Sequence, residues 1–83
     1  MKRKWWDKTV TVKGTKPGQS IVINSTERAA EYLMLEWPAT MEGVAYQAAK
    51  VALVDAYDGR ISTDQAREAF NSAAREAGIF VFE

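Results

Sequence analysis

Apolar and polar residues alternate along the first stretch of the chain. Trp6, Val10 and Val12 fall on one side of an extended backbone, and Trp5, Thr9 and Thr11 on the other. A period of two, rich in valine and threonine, predicts a strand over Trp5–Lys13. Gly14-Thr15-Lys16-Pro17-Gly18 predicts a turn, with Pro17-Gly18 suited to the centre of type II. Ser20–Asn24 predicts a second strand, antiparallel to the first.

The period then lengthens. Ser25 or Thr26 caps a helix, with Glu27 placed where a carboxylate meets the helix dipole. Ala30, Leu33, Met34 and Trp37 fall at helical spacing as one apolar stripe, and Pro38 stops the helix. Thr40 is expected to cap a second helix running to Tyr57 or Asp58, with Gly59 beyond it. That helix is apolar almost all round (Met41, Val44, Ala45, Ala48, Ala49, Val51, Ala52, Leu53, Val54, Ala56), which predicts a central position. Ser62 and Gln65 form a capping box for a third helix. Its buried stripe is Ala66, Ala69, Phe70, Ala73, Ala74 and Ala77; its wet face is Asp64, Arg67, Glu68, Asn71, Arg75 and Glu76. Gly78 closes it, and Ile79–Phe82 reads as a short last strand.

The order is β-β-α-α-α-β. It predicts one two-layer α+β domain over residues 1–83, a three-stranded sheet packed against three helices, with residues 1–4 disordered. At this size the core is small, and no disulfide or Cys/His zinc site can reinforce it, because the chain has neither cysteine nor histidine. The same absence removes the side chains that supply most general bases, nucleophiles and metal ligands near neutral pH. The remaining hydroxyls sit at helix starts (Ser25, Thr26, Thr40, Ser62, Thr63), where they cap backbone N–H groups. Glu27 with Glu31, and Asp55 with Asp58, are spaced as solvated helix faces; paired-carboxylate catalysis needs the two to converge across a cleft. No catalytic residue, metal or cofactor is therefore expected. No apolar run reaches the length of a membrane span, and the basic start lacks a following apolar stretch, so a cytoplasmic protein is expected.

Several longer patterns resemble a known family. Trp37-Pro38, Gly43-Val44-Ala45-Tyr46, and the run from Ala66 to Ile79 (Ala-Arg-Glu-Ala-Phe-Asn-Ser-Ala-Ala-Arg-Glu-Ala-Gly-Ile) are similar to those of the domain of unknown function family 982, small proteins seen mainly in alphaproteobacteria. Trp6 with Val10 and Val12, and Ala29-Ala30, also fit. Two departures are Thr9, where the family pattern has proline, and the absence of a cysteine within Val51–Val54. The resemblance implies a small α+β fold; it implies no known activity and no catalytic residue.

Charge and apolar surplus give the candidate sites. Net charge is zero, but residues 1–24 carry six basic groups against one acid, and residues 25–83 carry five against ten. Lys2, Arg3, Lys4, Lys8, Lys13 and Lys16 could hold an anion or nucleic acid, with Trp5 or Trp6 stacking on a base; the acidic remainder opposes a polyanion. The stronger signal is hydrophobic. Helices from so short a chain can cover one sheet face but hardly two, which leaves Trp5, Val22 and either Phe80 with Phe82 or Ile79 with Val81. Leu35 also lies off its helix's main stripe. These residues predict a non-catalytic interaction module that self-associates as a homodimer, or binds another protein, through an apolar sheet face or a free strand edge.

Overall fold

The computed structural model describes residues 5–14 and 16–82. The disorder expected of residues 1–4 lies outside the described residues, as do the candidate anion-binding residues Lys2, Arg3 and Lys4. The elements follow in the order β1 (Trp5–Lys13), β2 (Ser20–Ser25), α1 (Thr26–Leu35), a 3-10 turn (Ala39–Met41), α2 (Val44–Tyr57), α3 (Thr63–Ala77) and β3 (Phe80–Phe82). The sheet is antiparallel with strand order β2-β1-β3, so the last strand docks on β1 and leaves β2 at one edge. Gly18 has φ 78°, the positive value that the third position of the Pro17-Gly18 turn demands.

Trp6, Val10, Val12 and Ile23 turn their side chains into the core, where they meet Ala29, Tyr32 and Leu33 from α1 and Ala66, Phe70, Ala73 and Ala74 from α3. Phe70 is the hub of an aromatic cluster, edge-on to Trp6, Tyr32 and Trp37 at centroid distances of 5.8, 6.1 and 6.1 Å. The buried Trp6 indole donates from Nε1 to Thr26 Oγ1 at 3.1 Å, so its one polar group is satisfied. At the other end of α1, Tyr32 donates its hydroxyl to the Lys13 carbonyl at 2.7 Å. These two bonds hold α1 along the hairpin, from the start of β1 to its end.

Ser25 is the N-cap of α1 and accepts from the Arg28 N–H. The capping box of Ser62 and Gln65 is formed on α3, and Gly78 ends that helix in the left-handed conformation. Four details depart from the sequence reading. The buried face of α1 is Thr26, Ala29, Tyr32 and Leu33, while Met34 is 80% exposed. Its stripe is rotated because Tyr32 carries far more apolar area than Ala30 and can satisfy its hydroxyl at Lys13. Thr40 caps nothing: Trp37 donates from Nε1 to the Met41 carbonyl, which fixes a 3-10 turn there, and α2 starts only at Val44 with Gly43 as N-cap. Nor is α2 central. It packs on α3 and α1 through Tyr46, Ala49, Leu53 and Ala56, leaving Val44, Val51, Val54 and Tyr57 exposed. Arg67, expected on the wet face of α3, is buried.

Candidate interaction surfaces

The register across the sheet decides which apolar side chains face outward. Opposed residues of an antiparallel pair share a face. Thr11 lies opposite Val22 on β2 and Phe82 on β3, and this row is turned away from the helices. Val22 is 54% and Phe82 60% exposed, while Thr11 between them is only 4% exposed. Two bulky apolar neighbours thus shield a small polar residue on the open face. Trp5, opposite Ser25, is exposed as well.

Phe80 departs from the expected pairing with Phe82. The register shifts between Thr11 and Val12, so Phe80 opposes Val12 on the inner face while Phe82 opposes Thr11 on the outer. An irregularity of one residue sends two positions of like parity to opposite faces. Phe80 packs against the core, with the Arg75 guanidinium 4.0 Å above its ring centroid.

The second surface is the edge of β2. Among the described residues no strand pairs with its outer side. Its six residues, Ser-Ile-Val-Ile-Asn-Ser, include no charge and no proline. The opposite edge is the outer side of the three-residue β3 and, where β3 does not reach, the first half of β1. That half of β1 is irregular between Trp5 and Val10 and carries Asp7 and Lys8.

The third is an apolar groove of about 420 Å³ between α1 and α2, lined by Ala30, Met34, Leu35, Leu53, Val54 and Tyr57 among others, with Glu27 and Glu31 on its rim. Leu35, singled out from the sequence, is 75% exposed there. Met34, from the predicted apolar stripe of α1, and Val54, from the helix expected to be central, line it instead of the core. A signal for the groove was present: adjacent Met34 and Leu35 lie about 100° apart on a helix, and α2 is apolar on every side in a molecule too small to surround it.

The charged candidates disperse. Lys8, Lys13 and Lys16 are exposed, and Lys13 and Lys16 border a hollow of about 450 Å³ at the hairpin loop, with Gly18, Gln19 and Ser20. Arg28 pairs with Glu31 at 2.8 Å and Glu36 at 3.1 Å. Asp55 and Asp58 both meet Arg60, at 3.3 and 3.7 Å, so this carboxylate pair braces the end of α2. Among the described residues no three acidic side chains converge as metal ligands. The perturbed groups are buried phenols. Desolvation, then the nearby Glu36 charge, pushes Tyr32 up to about 12 against the pull of Arg28. Burial, then Glu42, also raises Tyr46, whose hydroxyl donates to the Leu33 carbonyl. Both phenols act as structural donors at neutral pH.

A three-stranded antiparallel sheet with three helices, an open edge and an uncovered apolar groove define a small α+β domain. The family model of the proteins of unknown function called DUF982 matches residues 8–81, and the chain belongs to that family. No curated protein and no solved structure matches it. Among the described residues, no helix is long and apolar enough to cross a membrane.

Proposed function

We propose that this protein is a non-catalytic interaction module that associates with a second copy of itself through the free edge of β2. The observation that carries this reading is where the charges stand. Proteins that remain monomeric guard exposed strand edges with charge, proline, bulges or brevity. Here the exposed half of β1 has Asp7, Lys8 and an irregular register, and β3 is three residues long. Among the described residues, only β2 presents a longer edge with no charge and no proline. The exposed Val22 on that strand supplies apolar area for a partner to meet.

Sedimentation velocity over a concentration series tests this. The expected result is a concentration-dependent dimer; a strict monomer at every concentration overturns it.

A second reading, an anion site at the basic hairpin, draws on the hollow bordered by Lys13 and Lys16. It predicts a salt-sensitive change of tryptophan fluorescence on titration with a short oligonucleotide. No change at low salt removes it.

A further inference from the structure

We propose that the dimer is built by antiparallel pairing of β2 with β2 of the second copy, about a two-fold axis at Val22. This rests on the self-association reading and adds the register. The stretch Ser20-Ile21-Val22-Ile23-Asn24 is a palindrome in polarity. Val22 lies on the outer face opposite Thr11, and Ile21 and Ile23 lie on the inner face opposite Val12 and Val10. Directly opposed residues in an antiparallel pair must share a face, so Val22 cannot lie opposite the partner's Ile23.

Three registers keep faces matched with the axis inside this five-residue stretch. An axis at Ile21 sets Val22 against the partner's Ser20, and one at Ile23 sets it against the partner's Asn24. The axis at Val22 pairs all five residues, like with like. Ile21 meets the partner's Ile23 on the inner face, twice by symmetry. On the outer face Val22 meets the partner's Val22, and Ser20 meets the partner's Asn24. Apolar cross-strand pairs are the unit of sheet stabilisation; the exposed Val22 supplies one at the axis, Ile23 being already enclosed in its own core, and no charge enters the seam. The interface is isologous and closes at two copies.

The joined sheet has six strands in the order β3-β1-β2-β2-β1-β3. The axis stands perpendicular to the sheet, so both helical layers lie on the same side. The exposed rows of Val22, Thr11 and Phe82 from the two copies join into one continuous outer face.

The chain has no cysteine, so a single introduced thiol reports its own position without ambiguity. In either type of antiparallel pair the two Cα atoms at the axis lie about 4.5–5.5 Å apart, within disulfide reach. Val22→Cys, oxidised in the folded state, is expected to run as a covalent dimer for most of the protein, while Leu35→Cys and Val54→Cys on the helical groove stay monomeric on a denaturing gel. Val22→Lys, which sets like charges face to face, is expected to shift the sedimentation boundary from dimer to monomer with its circular dichroism unchanged. A dimer that crosslinks through Leu35→Cys or Val54→Cys, but not Val22→Cys, overturns the edge register and leaves self-association standing. A wild type that never dimerises overturns both.

Discussion

At the scale of single residues, Tyr32 shows how one side chain serves two demands. Its ring closes the aromatic cluster beside Trp37 and Phe70, and its hydroxyl satisfies the Lys13 carbonyl at the end of β1. A buried polar group left without a partner costs more than a hydrogen bond contributes, so that pairing permits the burial. Tyr32→Phe keeps the ring and orphans the carbonyl; a loss of about 1 kcal/mol in chemical denaturation is expected. The same residue sets an alkaline limit. Its folded-state phenol titrates near 12 against 10.0 for an unperturbed tyrosine, so between those values the folded form holds more protons than the unfolded form. Stability therefore falls as pH rises through that window, and the group contributes no pH dependence below it. Melting temperatures of wild type and Tyr32→Phe, compared from pH 9 upward, are expected to fall more steeply for the wild type; parallel curves would show that Tyr32 is not the group responsible.

At the scale of elements, α2 shows what the sequence conceals. Its N-cap is Gly43, which has no side chain to offer, and the missing acceptor comes from α3: the Glu76 carboxylate takes the Ala45 N–H at 3.2 Å. That anion at a helix N-terminus also meets the favourable end of the dipole. Glu76→Ala is expected to cost roughly 0.5–1 kcal/mol, and Glu76→Gln less, because an acceptor remains. A side chain at position 43 would collide with that same carboxylate. Gly43→Ala should therefore cost less in the Glu76→Ala background than in the wild type, a coupling that a double-mutant cycle measures; additive losses would show that Glu76 does not cap α2. Local signals were sufficient where the chain caps itself, as at Ser25 and at Ser62 with Gln65. They failed at Thr40, because a cap donated from a helix some thirty residues away leaves no local pattern. Likewise, strand periodicity found β1 and β3, but the register shift that separates Phe80 from Phe82 belongs to the pairing of two strands and has no signature in either alone.

At the scale of the whole molecule, the apolar excess was legible from composition and chain length, since one small core cannot enclose that many large side chains. Its location was legible only in part. Trp5, Val22 and Leu35 stand exposed as read, but the groove between α1 and α2 depends on how far α2 sits from the centre, which helix packing decides. The open edge could not be assigned either, because it rests on β3 choosing β1 over β2. The charge asymmetry between residues 1–24 and 25–83 offers a competing route to association, with the basic hairpin of one copy against the acidic helices of another. The two routes respond differently to salt. Exposed charge attraction fades as the screening length shrinks from about 10 Å at 0.1 M to about 3 Å at 1 M ionic strength. A seam made of Ser20, Ile21, Val22, Ile23 and Asn24 contains no charge to screen, and its backbone hydrogen bonds and central Val22 pair do not weaken in sodium chloride. The dimer dissociation constant is therefore expected to stay within about threefold between those ionic strengths. A rise of tenfold or more would assign the association to the charged surfaces and would predict that Val22→Lys leaves the dimer intact.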